Sequence, residues 1–299
     1  MYLGEIAAIS AALVWAIATW IYGQFSHQFS ALQLNVIKGM TASTMMLVVM
    51  PFVLPNSLPE AFTELESAHF IILALSGVIG IAVGDSAYFS ALRRIGANKT
   101  LLLESLAPPL SGVLALIFLG TVIGIQSWLG IIVTTLAVTF VMFQPNSDQT
   151  KTSLSGIFYG LLASVCQATG VVISHFALVA GDIDPLMGAF IRLAIGVASV
   201  MIFMALIQRH KLTSIIGLLK SMASKEKTWL LGAIFIGTFL ALWLQQVSLK
   251  HANPAVAQTL IATSPLFMLV IYTVKGQKLS AKSIIGTVVA IMGVSLFFL

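Results

Sequence analysis

The chain has 299 residues, of which 59% are hydrophobic and only 8% charged. Soluble domains carry about 25% charged residues, so a fold of this size has no means of hiding so much apolar surface from water, and its solvent is lipid. In such a chain a net charge of +5 is not a nucleic-acid signal, and the single cysteine, Cys166, excludes an intramolecular disulfide and any cysteine metal cluster.

Ten apolar runs are long enough to cross a bilayer as helices. They lie near residues 3–22, 31–54, 69–92, 98–119, 123–143, 154–180, 185–207, 229–249, 254–274 and 280–298. The first run lacks the basic lead of a secretory signal and carries Glu5, so it is expected to remain as a span. The alternation of barrel strands is absent. One polar stretch, residues 144–153, divides the chain into five spans and five spans. Five is odd, so the second half must enter the membrane inverted relative to the first. The fold class is therefore all-α integral membrane, about ten transmembrane helices as two inverted five-helix repeats.

The repeat is legible in the residues. The stretch around Leu92, Arg93, Leu103 and Pro108 returns 157 residues later, without a gap, as Leu249, Lys250, Leu260 and Pro265. Gly80 falls on Gly237 in the same frame. The first helices of the halves begin with Gly4 and Gly156, the second carry one intramembrane cation each, Lys38 and Arg192, and the fifth share Gly130 and Gly286. Proline-interrupted helices used twice in this way place a binding site at the repeat interface of many transporters.

Loop charge sets an orientation. Twelve of the fifteen Lys and Arg fall in loops on one side, here side A, which follows the odd-numbered spans. Lys250 alone falls on side B, together with both termini and the acidic loop 55–69. The positive-inside rule puts side A in the cytoplasm and the termini outside.

Charges inside the bilayer cost several kcal/mol unless paired or hydrated. At ~1.5 Å per residue, Lys38, Asp85 and Glu104 share one level, ~10 Å below side A. One ammonium and two carboxylates can hold a proton or accept a cationic group; the alternative is a structural ion pair with Glu104 snorkelling toward Lys99. Arg192 is expected at the mirror level, apart from those acids. There it suits an anionic group, or else it bonds carbonyls freed by a helix break. Asp184 is expected to cap the seventh helix ahead of Pro185. Trp15, Tyr88, Trp243, Gln245, Gln246 and Gln258 supply aromatic and amide groups near mid-depth. Trp20, Tyr22 and Trp128 read as interface anchors. Pro108, Pro109 and Pro265 are hinge candidates, read as mid-helix prolines that remove backbone donors. Gly80/Gly84 and Gly156/Gly160 have the spacing of close helix packing. His175, near the side-B end of the sixth run, reads as structural.

The ordered set of features resembles the drug/metabolite transporter superfamily, and specifically its two-domain EamA type. The resemblance rests on the five-plus-five layout, on ALRRIGANKTLLLESLAPP and SLKHANPAVAQTLIATSPL after the third helix of each half, on the paired cations, and on GQKLSAKSIIGTVVAIMGV near the C-terminus. It implies EamA-type repeats at 1–143 and 154–299 and transport of small metabolites, often amino-acid or drug efflux. The acidic loop after the second helix departs from the basic one that family members often carry there.

The function expected is secondary transport of small polar or amphipathic metabolites, as an exporter in the plasma or inner membrane, by alternating access between the two halves. The alternative is an integral-membrane enzyme acting on a lipid or isoprenoid. Against it, the sequence has no HExxH, GxSxG, P-loop or Cys/His cluster. No cofactor and no metal are expected. The expected partners are a small-molecule substrate, the lipid bilayer and protons, with the chain a monomer or homodimer.

Overall fold

The computed structural model describes residues 2–55, 57–119, 125–142, 153–252, 254–277 and 280–296, and every regular element among them is helical. The first half contributes α1 (Leu3–Phe25), α2 (Ala31–Val53), α3 (Leu58–Glu64), α4 (Ser67–Gly77), α5 (Ser86–Glu104), α6 (Ala107–Leu119) and α7 (Ile125–Met142). The second contributes α8 (Leu154–Ala180), α9 (Pro185–Ile207), α10 (Arg209–Ser221), α11 (Ser224–Ile234), α12 (Ala241–His251), α13 (Pro254–Ile261), α14 (Ser264–Val274) and α15 (Ala281–Leu296). Seven described stretches are long and apolar enough to cross a membrane, one of them the 38-residue Ser67–Glu104. That stretch is two spans. Gly96 breaks it with φ +76° and ψ 171°, a conformation glycine adopts without strain, and the chain reverses there. The elements follow the ten expected runs. The short helices α3 and α10 lie in loops, and the sequence reading had no place for them. Residues 144–152 of the linker and the side chain of Trp128 lie outside the described residues.

Local chemistry sets the helix starts. Ser30 and Gln33 form a capping box at α2, Ser153 caps α8, and Asp184 caps α9 ahead of Pro185.

The two halves repeat irregularities as well as helices. A wide π-type segment, Val78–Asp85, joins α4 to α5, and another, Phe235–Leu240, joins α11 to α12 at the matching place. Such segments leave backbone carbonyls for outside donors. Asn35 Nδ2 donates to Ile81 O at 2.8 Å in the first. The fourth and ninth spans break at matching turns, Ser105-Leu106 and Ala262-Thr263. The sequence reading put the prolines in mid-helix; the structure puts Pro108, Pro109 and Pro265 in the first turn of a new segment, α6 or α14. There a missing N–H costs little. Hydroxyls cover carbonyls just upstream: Ser105 Oγ donates to Leu102 O, and Ser264 Oγ to Ile261 O.

Packing exchanges the first helices. α1 lies against α11, the second π-type segment, α12, α13 and α14, all of the second half. α8 lies against α4, the first π-type segment, α5 and α6, all of the first half. The close approaches are symmetric. Gly4 abuts Ala252 and Gly156 abuts Ile95; Gly80 abuts Gly170 and Gly237 abuts Ala18. A Cβ on Gly4, Gly156 or Gly237 would collide with the neighbour, and one on Gly80 would stand in ordinary contact with Arg192 and Gly170, so these glycines sit at close helix crossings. Each first helix thus packs mainly on the opposite half, and the two sequence halves interlock. Tyr22 is a second correction. It is fully buried, its hydroxyl bonded to Thr238 Oγ1 at 2.8 Å, and is no interface anchor. Trp20 does meet a cation near the span end, with Lys275 Nζ 4.7 Å from its ring centre.

Candidate substrate cavity

One cavity of about 70 Å³ lies where the two interlocked halves meet. Its lining draws on both halves, largely as matched pairs. Trp15 and Gln167 each stand eleven residues after the glycine that opens their helix, and both line it. Lys38 and Arg192, each the eighth residue of α2 or α9, both line it. In the 157-residue frame, Asp85 pairs with Leu242, Leu101 with Gln258, Glu104 with Ile261, Ser105 with Ala262, Ala107 with Ser264 and Pro108 with Pro265, and every one of these lines it. A repeat axis therefore passes through the cavity. The two cations are shared between the halves, but both acids belong to the first.

Each polar group arrives for a reason. Lys38 is 1% exposed and donates to Asp85 Oδ2, its ammonium also 5.3 Å from the centre of the Phe89 ring. Desolvation of both ions is offset only by this pairing, so one without the other is strongly unfavourable. Glu104 Oε2 accepts the indole N–H of Trp15 at 3.0 Å. Trp15 is steadied by Tyr88, whose ring centre is 5.3 Å away, and Tyr88 by a hydroxyl contact with Thr19. Arg192 is 1% exposed, and its Nε and Nη1 have no hydrogen-bond partner among the described residues. Its backbone packs on Gly77, and its Nη2 lies beside Gly80, on the helix that carries Asp85. The amides of Gln245 and Gln258 also reach the cavity, with Gln245 Oε1 and Gln258 Nε2 unpartnered among the described residues.

Of the residues singled out by sequence, the cavity gathers Trp15, Lys38, Asp85, Glu104, Arg192, Gln245, Gln258, Pro108 and Pro265. Tyr88, Trp243 and Pro109 do not line it. Tyr88 stands behind Trp15, and Trp243 packs on Phe239 at 5.9 Å between ring centres. Gln246 turns away to accept from Ser174 Oγ at 2.8 Å. The expected separation of Arg192 from the acidic level is corrected, because its side chain opens into the same cavity as Asp85 and Glu104. Depth counted along straight helices ignores the reach of a guanidinium. Gln167, Ser105 and Ser264 were missed. Registering the first helices on Gly4 and Gly156 would have found Gln167.

On side B, Lys250 Nζ bonds Asp182 Oδ1 at 2.8 Å and Ile183 O at 3.0 Å, tying the end of α12 to the loop before α9. The hydrogen bond from Lys250, and then its charge, hold the Asp182 carboxyl below the usual carboxylate range. Nearby, His175 Nδ1 meets Leu249 O at 2.9 Å, in keeping with a structural histidine.

Comparison with known proteins bears on the family and the fold. The family model described as EamA-like transporter family matches residues 2–143 and again 154–299. An uncharacterized transporter of Archaeoglobus fulgidus is 24% identical over 171 residues, a match spanning 57% of this chain and 58% of that protein. A solved crystal structure superposes with a TM-score of 0.68 at 13% identity, covering 98% of this chain and 95% of its own. At that identity the likeness concerns the fold alone.

Proposed function

The chain belongs to the EamA-like transporter family, and from that premise we propose that it exports small metabolites, amino acids and related amphipathic compounds, across a plasma or inner membrane. The observation that carries this reading is the buried guanidinium of Arg192, its Nε and Nη1 unpartnered among the described residues, in one cavity with Glu104. A zwitterion offers a carboxylate to the first and an ammonium to the second, and the bidentate fork of arginine suits the carboxylate. Gln245 and Gln258 add neutral donors and acceptors beside it. Trp15, Leu101, Leu242 and Ile261 leave the rest of the lining apolar, as small-molecule sites generally are.

In this reading access alternates as the interlocked halves rearrange about the cavity. The first π-type segment and the matched breaks before the prolines contribute to its lining, through Ile81, Asp85, Ser105, Ala262, Pro108 and Pro265, and serve as hinges in this reading. The purified chain in proteoliposomes tests the reading. Saturable counterflow of at least one amino acid supports it; no counterflow across a full panel of amino acids and amphipathic amines rejects it.

A further inference from the structure

Two acids and two cations line the cavity, and among the described residues only one ion pair forms between them. Asp85 is held by Lys38. Glu104 has the indole of Trp15, a neutral donor, and no cation within ion-pair distance among the described residues. The titratable and charged groups that look toward it are Lys38 from α2, Asp85 and Tyr88 from the third span, and Arg192 from α9. Trp15, Gln167, Gln245 and Gln258, from α1, α8, α12 and α13, line the same cavity and do not titrate.

The fold does not require an acid here. Its repeat counterpart is Ile261, which precedes the same turn and the same proline. Glu104 is also the last residue of α5, and Pro108 offers no N–H to its carbonyl, so it sits at the loosened end of a helix. An ionised carboxylate in a membrane cavity with a single neutral donor is costly. Something must neutralise it for much of the cycle.

We propose that Glu104 is the proton-carrying group of the transport cycle, a carboxylate that holds either a proton or the ammonium of the substrate. The proposal rests on the transport reading above. When substrate loads from the cytoplasm, its ammonium replaces the proton, which leaves to cytoplasmic water. When the ammonium departs on the outer side, a proton from outer water takes its place, and the empty carrier returns neutral at this position. A zwitterion moves out and a proton moves in, so one positive charge enters per cycle, and the membrane potential helps drive export.

Infrared difference spectroscopy of the purified protein reads Glu104 directly. The wild type, free of substrate, should show a carboxylic acid C=O band that is absent from Glu104→Gln. Isoamylamine and leucine should abolish the wild-type band; isocaproate, which has no ammonium, should leave it. This arm needs no variant, so misfolding of Glu104→Gln cannot obscure it. A wild type without the band, a band that persists in Glu104→Gln, or a band untouched by isoamylamine overturns the assignment. Those results leave counterflow intact and so spare the transport reading. Absence of counterflow for every amino acid sinks the transport reading, and the coupling proposal falls with it even if the band is present.

Discussion

Trp15 and Glu104 are joined by an indole N–H···carboxylate bond of 3.0 Å that ties α1 to the end of α5. These helices come from the same half, yet α1 is packed mainly into the other half. The bond therefore ties a helix seated mainly on the second half to the end of α5 in the first half. A rocking motion must stretch it or carry Glu104 along.

Trp15→Phe keeps the ring against Tyr88 and deletes the donor. Hydrogen bonds to charged groups contribute about 1.5–3 kcal/mol. Counterflow should fall roughly tenfold or more, since each 1.4 kcal/mol is tenfold, with expression and melting temperature near wild type. Unchanged counterflow would show that the bond does not hold Glu104 in its working position.

Lys38 and Asp85 form a buried pair, so the single change Lys38→Met should cost about 3–5 kcal/mol by stranding the carboxylate. The second half builds the same wall with Leu242 in place of Asp85. Lys38→Met/Asp85→Leu should therefore regain most of the lost stability. Thermal unfolding in detergent checks this, and a double variant no more stable than Lys38→Met rejects the pairing argument.

Pro108→Ala/Pro265→Ala should fold normally, because the prolines stand in first turns where their missing N–H groups are tolerated. Alanine returns donors to the carbonyls of Glu104 and Ile261 and stiffens both breaks. Counterflow should slow while substrate affinity holds. Wild-type rates in the double variant would remove the breaks from the moving parts.

Two glycines give opposite expectations. A methyl at Gly77 would fall on the backbone carbonyl of Arg192, so Gly77→Ala should cost about 1–3 kcal/mol and disturb the cavity wall. Gly217 is exposed in α10 with open space around it, so Gly217→Ala should gain roughly 0.5–1 kcal/mol. Melting temperatures moving in the same direction for the two would contradict the packing account.

Loop charge predicts that side A faces the cytoplasm. A reporter that is active only outside the cytoplasm, fused at the C-terminus, should be active. A fluorescent protein that folds only in the cytoplasm should stay dark there, and a bright signal would reverse the orientation.

The ten runs, the repeat frame and the charged candidates could be read from sequence. Hydropathy over a bilayer-length window is a local property, and a gapless 157-residue correspondence survives in the order of apolar, basic and proline positions. The residues Lys38, Asp85, Glu104 and Arg192 stood out because a charge in lipid needs a partner, whatever the fold. Tertiary structure alone decided which of them meet. The exchange of α1 and α8 depends on where Gly4, Gly80, Gly156 and Gly237 let backbones touch, a contact no single helix encodes. That exchange brings Arg192 into the cavity of the two acids, sets Trp15 on Glu104, and leaves Tyr22 in the core. The π-type segments were equally hidden, because they follow from donors such as Asn35 on a neighbouring helix and not from propensity along the chain.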